Sequence, residues 1–243
     1  MSEDDHRLAA RVAHDAGRLL LALRTTSEDA ATLRRAGDAQ ANVLILEALR
    51  AARPDDPILS EESADDLARL VSSRAWIVDP LDGTREFAEL DRDDWAVHVA
   101  LAIDGVAAIG AVALPARDLV LSTEPAPRPP PPSSGPARLV VSRTRPPAVT
   151  DAIQAALDAV LVPMGSAGAK AMAIVLGDAD VYAHAGGQYQ WDSAAPVAVA
   201  RAAGLHTSRL DGSPLVYNER DPYLPDLLIC RPELAARVIE AAS

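Results

Sequence analysis

The 243-residue chain is 49% hydrophobic and 24% charged, ordinary proportions for a globular protein with one large core or two modest ones, and they give no argument for disorder. A formal net charge of -12 and a pI near 4.8 argue against a general nucleic-acid binder, which needs a basic footprint, and leave small anionic substrates open if metal ions recruit them. The single Cys230 forms no internal disulfide, the start Met1-Ser2-Glu3-Asp4-Asp5 is acidic where a signal peptide is basic, and no apolar run reaches the roughly 18 residues of a membrane span, so a cytoplasmic enzyme without a membrane partner is expected.

In chain order, Leu8, Val12, Ala16, Leu19, Leu20 and Leu23 recur at helical spacing and predict an amphipathic helix over Asp5 to Arg24. A second helix is expected from near Asp38, carrying Val43, Leu44, Leu46 and Leu49 until Pro54 stops it. Pro57 to Ser60 reads as a short strand delivering Glu61 and Glu62 to its end, and Ser63 with Asp66 reads as the capping box of a short third helix. Ala75 to Val78 is a buried strand running into Asp79-Pro80, with the acids on the loop that follows and Gly83-Thr84 as the turn starting another helix. Alternation at Val97, Val99, Leu101 and Ile103 predicts a half-buried strand, and Asp104-Gly105 turns it into a hairpin with Val106 to Leu114. The first half is then two helices against an antiparallel sheet.

The run Pro125 to Pro136 excludes helix and central strand and reads as an extended or mobile linker. The expected organisation is residues 1–124 as an α+β subdomain with the metal site, 125–137 as linker, and 138–243 as an α/β subdomain. In the latter, strands at Leu139 to Ser142, Val160 to Pro163, Val181 to His184 and Leu227 to Cys230 alternate with helices at Pro147 to Leu157, Gly168 to Leu176, Asp192 to Ala203 and Pro232 to Ala242.

Glu61, Asp79, Asp82 and Asp192 each fall at a strand end or helix start, where side chains from different elements can converge. So many hard oxygen ligands, with no Cys or His set at ligand spacing, suit Mg2+. For Asp192 or Asp38 alone, helix capping accounts for the residue as well as ligation does. Asp79 and Asp82 are more telling, because two carboxylates flanking Pro80 after a buried strand repel each other unless a cation lies between them. Gly83 and Thr84 at a helix start offer backbone N–H groups to a phosphate. A phosphate seated beside divalent ions is the arrangement for in-line hydrolysis by a metal-activated water. His98, on the polar face of its strand, is expected to be structural; His184, near Trp191-Asp192, is as suited to lining a pocket as to a structural role. Cys230 ends a buried strand as an inert core thiol.

The segment Asp79-Pro80-Leu81-Asp82-Gly83-Thr84 resembles the signature of the inositol monophosphatase superfamily. Glu61-Glu62-Ser63 upstream and Trp191-Asp192-Ser193-Ala194-Ala195-Pro196 downstream resemble its other blocks in the right order, and Asp38 resembles the acid of its second helix. The resemblance implies a layered αβαβα sandwich in which Glu61, Asp79, the Leu81 carbonyl, Asp82 and Asp192 ligate two or three Mg2+. It further implies that Asp38 and Thr84 orient and deprotonate the attacking water, and that Li+ inhibits by competing for a magnesium position.

Within the superfamily the likeness is greatest to the CysQ-type branch acting on 3'-phosphoadenosine 5'-phosphate, actinobacterial members especially. It is carried by Ala64 to Leu70, Arg92 to His98, Gly165-Ser166-Ala167-Gly168-Ala169-Lys170 and Tyr217 to Tyr223. The implied activity is release of the 3'-phosphate to give AMP, a clearing step in sulfate assimilation, with inositol 1-phosphate and fructose 1,6-bisphosphate as alternative substrates. From another class, a silent phosphate-binding regulatory protein stays an alternative. A bisphosphate needs a second anion site made by basic side chains. Lys170, the one lysine among 23 cationic residues, is the first candidate, then Arg145. Gly83, Thr84, Ser166 and Asp192 complete the expected substrate contacts. Solvation accounts for Arg143 and Arg145 nearly as well. A homodimer is the favoured assembly by resemblance.

Overall fold

The computed structural model describes residues 4–26 and 29–243, so most of the acidic start read above, residues 1–3, lies outside the described residues. Asp29 caps the second helix through Thr32 N at 2.7 Å, which starts α2 (Ala30–Ala52) well before the position read from sequence, and α1 (Asp5–Arg24) falls where its periodicity placed it. Asp38 therefore sits inside α2, where helix packing rather than a cap fixes its direction. The two helices bury Leu8, Val12, Leu20, Ile45 and Leu49 against one face of a five-stranded sheet.

That sheet has the order β1-β2-β3-β4-β5 and is built from β1 (Ile58–Ser60), β2 (Arg74–Asp82), β3 (Ala96–Ile103), β4 (Val106–Leu114) and β5 (Leu119–Ser122). It is antiparallel except where β1 pairs parallel with β2, and β5 was not anticipated. No third helix follows Ser63. Asp65 and Asp66 bond Leu67 N and Ala68 N in local turns, and only a short 3-10 turn forms over Ala68–Val71. The hairpin at Asp104-Gly105 carries positive φ of 48° and 78° as a tight two-residue turn requires.

β3 has no polar face. Its odd positions Val97, Val99 and Leu101 pack on the first helix layer, while Ala96, Ala100 and Ala102 pack on a second helix layer behind the sheet. That second layer is α5 (Ala167–Leu176) and α6 (Gln190–Ala202), and the alanines let it approach closely. Both faces are covered, so the strand predicted as half-buried is buried throughout, save Ile103 at its end.

The second sheet, order β7-β6-β8-β10-β9, packs on the other side of α5 and α6. Its strands are β6 (Arg138–Ser142), β7 (Val160–Met164), β8 (Val181–Tyr189), β9 (His206–Ser208) and β10 (Tyr223–Cys230), and only β9 had no sequence signal. α4 (Thr150–Leu157) and α7 (Ala235–Ala242) cover its outer face with Ile153, Leu157 and Val238. The result is the expected αβαβα order of layers, a mixed α/β fold. Residues 125–137 form neither helix nor strand, and Pro130 within them packs on Gly177 and accepts from Arg231 at 3.0 Å.

Candidate active site

β2 carries its own acids. The strand continues through Asp82, and a bulge between Asp79 and Asp82 lets both carboxylates leave the same strand end, which puts them in the sheet rather than on the loop expected from sequence. Gly83 then turns the chain with φ of 84° into α3 (Thr84–Ala88), a helix of only five residues. Asp192, in the first turn of α6, accepts from Tyr189 N at 2.6 Å and so both caps the helix and faces the strand end. Asp79, Asp82 and Asp192 bring one oxygen each within 4.8 Å of one another.

Electrostatics shows what this convergence costs without a cation. Burial, then Glu61, Asp82 and Asp192, drive the Asp79 carboxyl well above its ordinary range. Burial followed by Asp192 pushes Glu61 up to about 7, although a hydrogen bond with Asp79 pulls the other way. Burial and Asp82 push Asp192 to about 7 as well. Only Asp82 is held below the usual carboxylate range. Its burial is overcome by His98, Ser166 Oγ donating at 2.5 Å and Gly168 N donating at 2.6 Å. Both of the latter go to Oδ2, so Oδ1 is the oxygen open to a ligand.

Four acids crowd one strand end, and burial with mutual repulsion raises the pKa of three of them. Such a donor set fits a hard divalent cation. Among the described residues, the sequence-predicted ligands Asp79, Asp82 and Asp192 share one centre; Glu61 joins it through Asp79, and Leu81 is buried between the two strand acids.

Asp38 reaches the same region from α2. Thr84 Oγ1 donates to the Leu81 carbonyl at 3.1 Å and stands 3.4 Å from Asp38 Oδ1, which links the helix acid to the strand end through one hydroxyl. Partial burial and then Glu62 raise the Asp38 carboxyl to about 6, a value suited to accepting a proton near neutrality.

From Asp82, Thr84 and Asp192 a cleft of 260 Å³ runs across the second half of the chain, lined by Arg145, Ser166, Lys170, Tyr182, His184 and Gln188 among others. A larger hollow of 600 Å³ beside the end of α2 is lined by none of the candidate catalytic, metal or substrate residues. Lys170 is buried, and its Nζ donates to Ser166 O at 2.7 Å and Gly165 O at 3.3 Å and lies 5.3 Å from the centre of the Tyr182 ring. Two of its three donors thus brace the loop before α5. The Ser166 hydroxyl accepts from Ala169 N while donating to Asp82, so it serves the acid cluster directly.

Arg143 is no solvated loop charge: it donates to Glu86 at 2.8 Å and Glu89 at 3.1 Å. Arg145 remains at the cleft, with its backbone N bonded to Ser142 Oγ. His184 lines the cleft and contacts Gly186 O at 2.9 Å, and Cys230 is a buried thiol pushed up to about 12 by burial. Three supports of the site were not tied to it by sequence reading, although His98 was expected to be structural. Asp94 takes Gly165 N at 2.6 Å and is ion-paired with Arg92, Glu86 packs under Gly165, and His98 lies against Asp82. The Arg92 to Trp95 stretch stood out in sequence, but nothing in it tells which of two adjacent aspartates turns inward.

The inositol monophosphatase family profile matches residues 8–243. A Mycobacterium bovis protein named 3'-phosphoadenosine 5'-phosphate phosphatase is 55% identical over 93% of this chain and 89% of its own length. The Escherichia coli K12 protein named 3'(2'),5'-bisphosphate nucleotidase CysQ is 32% identical over 78% of this chain and 81% of its own. Among solved structures, CysQ from Bacteroides thetaiotaomicron superposes with a TM-score of 0.78 at 26% identity, covering 93% of this chain and 97% of that one.

Proposed function

The chain belongs to the inositol monophosphatase family, and from that premise we propose that it is a Mg2+-dependent phosphomonoesterase that converts 3'-phosphoadenosine 5'-phosphate to AMP and inorganic phosphate. The observation that carries the reading is the convergence of Asp79, Asp82 and Asp192 at one end of a cleft that holds Arg145 and Lys170 further along. Supporting it is the name of a relative that is 55% identical.

Asp79, Asp82, Asp192 and Glu61, with the Leu81 carbonyl, would hold two or three ions. Bound there, divalent cations supply Lewis-acid polarisation of the phosphoryl group and stabilise charge on the leaving oxygen. The chain's own groups do the rest. Gly83 and Thr84 seat the 3'-phosphate beside the acids. Thr84 Oγ1 orients the attacking water and relays its proton towards Asp38, whose raised carboxyl accepts it. Water oxygen bonds to phosphorus as the bond to the ribose 3'-oxygen breaks, and that oxygen leaves as the hydroxyl of AMP after taking a proton from solvent. Lys170 braces Gly165 and Ser166, which in turn fix Asp82, and with Arg145 it presents positive charge to the 5'-phosphate.

Phosphate release from 3'-phosphoadenosine 5'-phosphate, inositol 1-phosphate and fructose 1,6-bisphosphate tests the assignment. The nucleotide should be the preferred substrate by kcat/KM, and Lys170→Ala should lower nucleotide turnover more than inositol phosphate turnover. Preference for inositol 1-phosphate in the unaltered protein would overturn the substrate while leaving the chemistry standing.

A further inference from the structure

His98 is completely buried beneath the acid centre, on the face of β3 that packs against α5 and α6. Its Nδ1 faces the Trp191 carbonyl at 3.1 Å, directly before Asp192 in α6. Its Nε2 lies 3.3 Å from Asp82 Oδ2 at the end of β2, off the line of a good hydrogen bond, and is left without a well-formed one. The ring's third neighbour is the first turn of α5: a Cβ at Gly168 would stand 2.1 Å from Nε2, so only glycine leaves room for the imidazole.

One side chain therefore touches the three elements that deliver Asp82, Asp192 and the Ser166 hydroxyl. We propose that His98 is a positioning residue that sets the separation of Asp82 and Asp192, bearing on one through the 3.3 Å contact at Nε2 and on the start of α6 through Nδ1, and that Gly168 is glycine to admit it. The inference rests on the reading of those carboxylates as cation ligands. A ligand carboxylate held by a second partner points its remaining oxygen in one direction, and loss of such partners commonly weakens metal binding about 10- to 100-fold. The neighbouring strand positions Ala96 and Ala100 are small and apolar, so packing alone gives no reason for an imidazole between them.

The test is Mg2+ binding by calorimetry to the full chain without substrate. Gln at position 98 can place its amide nitrogen where Nε2 is and reach Asp82, whereas Asn can reach only the Trp191 carbonyl. His98→Asn should therefore weaken Mg2+ binding at least about tenfold and His98→Gln much less, with substrate KM at saturating Mg2+ unchanged in both. Gly168→Ala, which keeps the histidine but takes its space, should behave like His98→Asn. Because Gly168 N also donates to Asp82, it is unchanged Mg2+ affinity in Gly168→Ala that overturns the role of His98 even where the position-98 variants do not fold. Equal Mg2+ affinity in the unaltered protein, His98→Asn and Gly168→Ala would overturn the role of His98, as would equal losses in His98→Asn and His98→Gln. Absence of Mg2+ binding by the unaltered protein would instead strike the reading of the carboxylates themselves.

Discussion

Asp38 and Thr84 show how much of the proposed chemistry hangs on single atoms. The Thr84 hydroxyl has one proton and two acceptors in reach, Leu81 O and Asp38 Oδ1 at 3.1 and 3.4 Å, so it can switch between holding the strand end and relaying a proton. Asp38→Asn keeps the shape and removes the base. It should lower kcat about 10²- to 10⁴-fold with little change in KM, measured by phosphate release at saturating Mg2+; a variant as active as the parent would remove Asp38 from the mechanism. Thr84 was legible in the sequence because it closes the unbroken Asp79 to Thr84 motif, whereas Asp38 was named only by resemblance, near a helix start that lies instead at Asp29. Lys170 was legible as a rare lysine in the cleft but not as a brace, since its partners are backbone carbonyls, which leave no mark on residue choice. For His98 the structural role read from sequence stands, but its surroundings were misread: alternation along β3 indicated a solvent face, and the strand gives no local sign that a second helix layer covers it.

At the level of elements, α2 and α3 must meet closely for Asp38 to reach Thr84. Gly37 is where they do: a Cβ there would lie 2.8 Å from Phe87 and 2.9 Å from Leu81. Gly37→Ala adds helix propensity to an interior position, worth under about 1 kcal/mol, but overpacks a contact where such insertions typically cost about 1–3 kcal/mol. We expect a net loss of stability in urea unfolding together with a drop in kcat, because α2 and Asp38 with it must back away from α3. A stabilised variant with full activity would show that the contact is looser than its geometry. Helix α1 was readable from its apolar repeat and β3 from alternation, and the other strands except β5 and β9 stood out as short apolar runs. The start of α2 was not, because residues 30–37 carry mostly Ala, Arg and Gly and only Leu33 among them is a buried large side chain, so the apolar repeat begins late. The Asx turns at Asp65 and Asp66 mimic a helix cap in sequence and deliver a 3-10 turn instead.

Over the whole molecule, the site exists because a layer of helices is shared by two sheets: β2 brings Asp79 and Asp82 from one side, and α6 brings Asp192 from the middle. The fold thereby holds like charges together, and without a cation it does so at the expense of its own stability. Asp79, Glu61 and Asp192 have raised pKa values in the folded chain, the latter two to about 7. Between about pH 4 and pH 7 the native state thus holds more protons than the unfolded state, and stability falls as pH rises. His98, raised from 6.5, adds stability below its folded pKa and loses it above, in the same sense; the depressed Asp82 acts in the opposite sense but below this window. Mg2+ binds the ionised carboxylates, so its stabilising effect should grow across that window. The most direct measurement of the central claim is the unfolding temperature from pH 4 to pH 8 with a chelator and with excess Mg2+. The account predicts a falling curve with chelator, separating towards neutral pH from a flatter curve with Mg2+; two curves that coincide throughout would contradict a cation centre at Asp79, Asp82 and Asp192.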